Sequence, residues 1–189
     1  MRAFETEKTE VAEIDRSVYD IKDKVNAAFE VNSGLTAEIV EQISKEKHDP
    51  DWMREFRLKA LDIYNKASIP NWGPSLEGLD MRNIVTYVRP NTEMRGKWSE
   101  VPDDIKNTFE RLGIPQAERS SLAGVGAQYD SEVVYHNVKE EVAAQGVVYT
   151  DMESALTGPY ADMVKEHFMK CVPPTDHKFA ALHGAVWSG

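Results

Sequence analysis

The residues whose types could do chemistry together lie near the C-terminal end of the sequence. Cys171 is the single cysteine, and Asp176, His177 and His183 follow it. Thiolate, imidazole and carboxylate groups bind zinc and iron, and a thiolate beside a histidine can act as a nucleophile. His177 and His183 are six residues apart, a rotation of about 240° on a helix, so both imidazoles cannot face one ion from one helix.

The cysteine count limits this chemistry further. One cysteine forms no intramolecular disulfide and builds no multi-cysteine zinc or cluster site within one chain. We therefore predict structural roles for Cys171, Asp176, His177 and His183, and no catalytic, cofactor-binding or metal-ligating residue. The open alternative is a metal or thiol site that uses Cys171 with His177 or His183, within one chain or between chains.

Other chemical motifs give weaker signals. The sequence contains no phosphate-binding glycine loop, nucleophile elbow or His-Glu-x-x-His motif. Gly124 and Gly126 form an isolated pair, for which we predict a backbone turn. His136 follows β-favouring residues without a recognisable partner, and we predict an ordinary hydrogen-bonded histidine.

Composition restricts the classes of partner. The 189 residues include 22 Lys and Arg against 32 Asp and Glu, a net charge of −10. This charge disfavours nucleic acid as a partner, because the phosphate backbone attracts basic proteins. No apolar run approaches the roughly 20 residues of a membrane span, and the first residues do not resemble a secretory signal. We expect a cytoplasmic protein with no membrane partner, in a reducing compartment.

Caps and apolar spacing predict the helices that must position these groups. We expect a first helix over about 18–30 and a second after the N-cap Thr36. A third begins at Asp49-Pro50, where an acceptor precedes proline at the first helical position. Its predicted apolar face consists of Trp52, Phe56, Ala60 and Ile63, with Met53 and Tyr64 beside it. Further short helices are predicted over about 102–112, 116–122 and 138–145, and beginning near Thr150, Pro159 and Asp176.

Strands are predicted where β-branched and aromatic residues cluster, over 84–88, 131–137, 147–149 and, as a strand that has only begun, 185–187. The stretch 68–101 is broken by proline and glycine, so we expect a surface connection anchored by Trp72 and Trp98. The elements together predict an α+β, mainly helical fold.

An ordered series of motifs extends from residue 34 to the last residue. The most specific is GVGAQYDSEVVYH over 124–136; the others include DPDWM over 49–53, RLKA over 57–60, PNWGP over 70–74, TFERLGIP over 108–115, KFAAL over 178–182 and AVWSG over 185–189. In this order they resemble the N-terminal region of the SufB family, the scaffold subunits of the SUF iron-sulfur cluster assembly system.

The resemblance implies an α+β, mainly helical N-terminal region with the start of a parallel β-helix core at its C-terminal end. We expect a flexible tail over 1–17, because these residues are charged and aperiodic. The remaining chain then divides into a SufB-like helical region over 18–170 and the beginning of the β-helix core over 171–189. The implied function is iron-sulfur cluster assembly in a SufBCD-type complex, without enzymatic activity of this chain.

The resemblance also implies the partners, which are the SufC ATPase, a SufD-like subunit and sulfur-donor proteins. It places the cluster-site residues in the core beyond Gly189, so we expect no cofactor in this chain and an iron-sulfur cluster only on the full-length complex. Trp52, Phe56, Trp72 and Trp98 are then mainly core residues. An alternative is a free-standing SufB-derived adaptor that binds assembly partners without carrying a cluster.

Overall fold

The computed structural model describes residues 27–113, 122 and 124–188. Within them, seven α-helices and four strands form two small antiparallel sheets with helices packed around them. The α+β class is therefore confirmed. The predicted tail over 1–17, the first part of the predicted helix over 18–30, and the helix predicted over 116–122 apart from Leu122 lie outside the described residues.

The first sheet pairs β1 (Ala27–Glu30) with β2 (Val88–Pro90). Residues 27–30 therefore form a strand, and the helix predicted to include them is wrong there. Their side chains alternate between half-buried and exposed, and Phe29 lies against Tyr87 with ring centroids 6.1 Å apart. Pairing with a distant strand outweighs the local helical spacing. The strand predicted over 84–88 begins later, at Val88.

The second sheet is a hairpin of β3 (Gly124–Tyr129) and β4 (Glu132–Val138), which confirms the strand predicted over 131–137. The turn predicted at Gly124 and Gly126 is wrong, because both glycines lie inside β3. The hairpin joins the first sheet where Val88 and Ser131 exchange two hydrogen bonds of 3.0 Å.

The second and third predicted helices are confirmed as α1 (Ala37–Glu46) and α2 (Asp51–Lys66). Thr36 caps α1 through its Oγ1, which accepts from the Ile39 N–H. Pro50, predicted as the first helical residue, is instead the N-cap of α2. The predicted apolar face of α2 is also rotated from the real one, whose buried side chains are Met53, Arg57, Ala60, Leu61 and Tyr64.

The C-terminal helix, α7 (Lys178–Val186), packs against α2 through small residues. Ala181 and Ala185 are fully buried, and a Cβ atom at Gly184 would lie 3.0 Å from the Cβ of Ala60. The strand predicted over 185–187 is wrong, because this close helix packing buries the alanines and the helix ends only at its C-cap, Trp187. The predicted start of a parallel β-helix stays a prediction.

Four shorter helices complete the described chain: α3 (Asp103–Arg111), α4 (Glu140–Ala143), α5 (Met152–Thr157) and α6 (Ala161–His167). Each lies where a helix is predicted, with different ends. Asp151, rather than Thr150, caps α5 and accepts from the Ser154 N–H at 2.8 Å. The strand predicted over 147–149 is wrong, since no strand is assigned to these described residues.

The predicted core role of Trp52, Phe56, Trp72 and Trp98 is confirmed at three of the four positions. Trp52 and Phe56 pack beside Met53, Leu156 and Trp187. Trp98, in a 3-10 turn (Trp98–Glu100), contacts Phe109 and Tyr135 edge to face. Trp72 is 74% exposed, so it does not anchor the surface connection. 

Every helix within the described ranges is too short or too polar to cross a lipid bilayer.

Candidate functional site

The structure does not bring the predicted cysteine and histidine residues together. Cys171 is exposed, and His183 is exposed in the last turn of α7. His177 is the N-cap of α7, where its Nδ1 lies 3.2 Å from the N–H groups of Phe179 and Ala180 and accepts from both. No group of three or more histidine, cysteine or acidic side chains able to hold a metal ion is found among residues 27–113, 122 and 124–188.

His136 differs from the ordinary hydrogen-bonded histidine that its sequence context predicts. Its ring stacks on Tyr149, with centroids 4.7 Å apart and an interplanar angle of 29°. The Nε2 atom is buried and has no hydrogen-bond partner in the described part of the chain. This face of the hairpin is therefore held by ring stacking rather than by a hydrogen bond at Nε2.

Among the described residues, four titratable side chains meet around a buried lysine: Lys47, Tyr87, Glu132 and Glu153, here the Lys47 cluster. The Lys47 side chain is 1% exposed and its Nζ lies 2.8 Å from Glu132 and 2.5 Å from Glu153. The Tyr87 hydroxyl donates to the second oxygen of Glu132 at 2.5 Å. One cation thus sits between two carboxylates, one of which also accepts from a phenol.

Four separate elements position this cluster. Lys47 is the C-cap of α1, Tyr87 directly precedes β2, Glu132 begins β4 and Glu153 lies in the first turn of α5. Burial, followed by the hydrogen bond to Glu132 and the charge of that residue, raises the pKa of Tyr87 well above its ordinary value. The phenol therefore keeps its proton at neutral pH and acts as a donor.

A cavity of about 380 Å³ opens beside the Lys47 cluster, lined by Glu132 and Glu153 and by further polar side chains that include His48, Arg89 and Asp151. Arg89 lies 3.3 Å from Glu46. Burial acts against ionisation of Asp151, but hydrogen bonds from Ser154 outweigh it and lower the pKa of this carboxyl. The ionic contacts join α1, β4 and α5 around the cavity.

A second buried cation, Arg57, forms the most enclosed ionic contact described. Its Nε donates to Asp49 at 2.6 Å, and both side chains are 0% exposed. Its Nη1 donates to the carbonyls of Trp187 at 2.9 Å and Ala185 at 3.4 Å. The guanidinium also lies 4.5 Å from the centre of the Trp187 ring. We call these four residues the Arg57 clamp.

Lys178 makes the matching contact at the opposite end of the α2 and α7 pair. Its Nζ donates to the carbonyls of Tyr64 at 2.7 Å and Ala67 at 2.9 Å, and lies 4.1 Å from the centre of the Tyr64 ring. Each helix thus supplies a cation to the C-terminal carbonyl groups of the other. These groups have no partners within their own helix, so the two contacts satisfy them.

The sequence contained one signal for the clamp and none for the Lys47 cluster. Arg57 occupies a position at helical spacing from Met53 and Tyr64, both buried, so it interrupts the apolar face of α2 with a charge. A charge at such a position requires a buried partner. Lys47 and Glu132 are 85 residues apart, and no local pattern connects them.

Comparison with known proteins identifies the family of this chain. The chain is 51% identical over 171 residues to the iron-sulfur cluster assembly protein SufB of Bacillus subtilis (strain 168), an alignment that covers 90% of the chain and 37% of that relative. It is 47% identical over 171 residues to an iron-sulfur cluster assembly SufBD family protein of Staphylococcus haemolyticus (strain JCSC1435), with the same coverages. The chain is a SufB-type sequence.

A relative from Mycobacterium tuberculosis (strain ATCC 25618 / H37Rv), also an iron-sulfur cluster assembly SufBD family protein, is 44% identical over 185 residues. That alignment covers 97% of this SufB-type chain and 22% of the relative. The chain thus spans well under half the length of these curated relatives. No protein-family model matches the chain. No solved structure matches it either.

The motifs that carry the SufB resemblance supply the Arg57 clamp. Asp49 opens the DPDWM motif, Arg57 opens RLKA, and Ala185 and Trp187 belong to AVWSG. Lys178 opens the KFAAL motif, whose helix carries the matching contact. The clamp therefore brings residues of three separated motifs into direct contact.

Proposed function

We propose that this chain acts in iron-sulfur cluster assembly as the N-terminal part of a SufB-type scaffold subunit, in the cytoplasm. The observation that carries the proposal is an identity of 44–51% over 90–97% of the chain to proteins named for this process. The proposed partners are the SufC ATPase, a SufD-like subunit and sulfur-donor proteins, in a SufBCD-type complex. These partners rest on the family resemblance.

The proposed contribution of the chain is protein contact, without enzymatic activity and without a cofactor of its own. By family resemblance, we place the cluster on the full-length complex, with its ligands in the parallel β-helix core.

The test uses the gene in its native locus, read past Gly189 and expressed in full with SufC and SufD under anaerobic conditions. We expect the proteins to co-purify and to carry iron and acid-labile sulfide, and the full gene to restore growth of a strain that lacks SufB. Arg57→Met should weaken both results by destabilising this region, while Arg54→Met, at an exposed ion pair on the same helix, should leave them unchanged. The proposal would be overturned if the wild-type proteins co-purified but the full gene failed to restore growth.

A separate preparation of the 189-residue chain distinguishes the alternatives. If the 189-residue chain alone is monodisperse and retains SufC or SufD while it contains no iron, the adaptor interpretation holds instead. Stoichiometric iron or zinc in that chain, lost in Cys171→Ala, would support a thiol and histidine site between chains. 

A further inference from the structure

An exposed apolar segment over residues 147–150, here the 147–150 segment, connects α4 to α5. Val147, Val148 and Tyr149 are 52%, 52% and 44% exposed. Branched and aromatic side chains of this kind favour strands, yet the segment is in neither a strand nor a helix of the described structure. Three consecutive exposed residues of this type form a surface feature that folding of the described chain leaves uncovered.

The backbone of the 147–150 segment is also open. The N–H and C=O groups of Val147, Val148 and Tyr149 form no hydrogen bond with any residue that the structure describes. An unpaired row of backbone donors and acceptors, together with β-favouring side chains, is what an incoming strand requires. The segment meets both requirements without rearrangement of a helix or sheet.

Two contacts hold the 147–150 segment in place. The Tyr149 ring lies across β3, where a Cβ atom at Gly124 would be 2.8 Å from the Tyr149 Cδ1 and one at Gly126 would be 3.1 Å from its hydroxyl. The two glycines therefore provide the space for this ring, and His136 stacks on it. Asp151, the next residue, caps α5. A segment held at its C-terminal end loses less conformational entropy when it binds a partner.

The charges around the segment indicate the kind of partner. Residues 140–157 contain four acidic residues and no lysine or arginine. Glu140 and Glu141 are exposed on the N-terminal side, and Asp151 follows on the C-terminal side. If two copies of this chain paired through the segment, the acidic ends would face each other and repel. Basic ends on a different partner would be attracted.

We propose that the 147–150 segment docks an extended segment of a partner protein, with β-favouring apolar residues at its centre and lysine or arginine on both sides. The partner segment adds to Val147, Val148 and Tyr149 as a strand. The docking depends on exposed backbone and local charge, and is independent of the proposed role in iron-sulfur cluster assembly.

The test adds the synthetic peptide Lys-Lys-Val-Thr-Val-Thr-Val-Lys-Lys to the full 189-residue chain and measures backbone amide exchange by NMR. Neighbouring N–H groups of a strand point to opposite sides, so one added strand can bond only alternate residues. We expect exchange to slow about tenfold or more either at Val147 and Tyr149 or at Val148, because the N–H groups on the side of the peptide become hydrogen-bonded. A matched peptide with glutamate in place of lysine should give no protection. Equal protection by both peptides, or none by the basic peptide, would overturn the proposal.

Proline and threonine substitutions separate backbone pairing from side-chain contact. At whichever of Val147 and Val148 has the protected amide, proline removes the N–H group and should abolish binding of the basic peptide, whereas threonine keeps the N–H group and should retain binding. The circular dichroism spectrum shows whether each variant is folded. The peptide pair decides the result if the proline variant fails to fold. Protection that rises with protein concentration in the absence of peptide would assign the surface to a second copy and overturn the proposal.

Discussion

Two buried cations, Arg57 and Lys47, are each paired with carboxylates, but in different surroundings. Arg57 and its partner Asp49 are 0% exposed, and the same guanidinium also reaches two backbone carbonyls and an aromatic ring. Lys47 is 1% exposed, but its partners Glu132 and Glu153 are 17% and 36% exposed beside an open cavity. The ion pair of the Arg57 clamp is closed to solvent, whereas the carboxylates of the Lys47 cluster are partly exposed.

The comparison teaches how side-chain chemistry matches the surroundings. A guanidinium has a planar set of donors, so one arginine can serve a carboxylate and backbone carbonyls at once. An ammonium group is a compact charge that suits two carboxylates. When a cation is removed, water can reach the carboxylates of the Lys47 cluster, whereas Asp49 has no such access. The closed site should therefore be the more costly one to break.

The largest expected effect is the loss of the Arg57 clamp. Arg57→Met should lower the free energy of unfolding by about 3–5 kcal/mol, because it leaves the buried Asp49 carboxylate and two carbonyls without their donor. Urea denaturation followed by circular dichroism measures the change. The control Arg54→Met, at the exposed pair with Glu41, should alter the midpoint little. Equal losses in the two variants would show that burial does not distinguish these sites.

A smaller effect is expected at the open site. Lys47→Met should lower the free energy of unfolding by about 2–3 kcal/mol at pH 7, because Glu132 and Glu153 lose their shared counter-ion but gain water. Urea denaturation at pH 7 measures the change. A loss equal to or larger than that of Arg57→Met would contradict the ranking of the open site below the closed one.

The smallest effect at neutral pH is expected for Tyr87→Phe, a loss of about 1 kcal/mol from one hydrogen bond. The pH dependence is more specific. Because burial and Glu132 raise the pKa of Tyr87 in the folded state, its contribution is complete below the unfolded value of about 10 and is lost as pH rises towards the folded value.

Above pH 10 the free energy of unfolding should therefore fall more steeply with pH for the wild type than for Tyr87→Phe, by up to ~1.4 kcal/mol per pH unit. Denaturation curves from pH 8 to pH 11 measure both slopes. Parallel slopes would show that Tyr87 ionises as easily in the folded protein as in the unfolded chain.

Local signals in the sequence predicted the elements whose stability is local. Thr36 caps α1 as predicted, α2 begins beside Asp49-Pro50, and the run before His136 is a strand. Predictions were wrong where a distant partner decides the conformation. Residues 27–30 pair with β2, and residues 185 and 186 stay helical because α2 packs closely against them.

The site was harder to predict than the fold, for the same reason. Cys171 and His183 are close in sequence yet both are exposed, and His177 serves as a helix cap. The groups that do meet, Lys47 and Glu132, come from a helix end and a strand far along the chain. Only packing of the whole structure shows which charges become neighbours. The resemblance to the SufB family, by contrast, was visible from the motifs alone and is confirmed.

The contacts between α2 and α7 have a consequence for the order of events during synthesis. Arg57 bonds with carbonyls 128 and 130 residues later in the chain, and Lys178 with carbonyls 111 and 114 residues earlier. While the ribosome makes the intervening residues, α2 exposes to solvent an arginine and an apolar face that are buried in the folded protein. The packing of α7 against α2 can be completed only after residue 187 has left the ribosomal exit tunnel. A pause in translation before that point therefore exposes the nascent chain to aggregation and to chaperones.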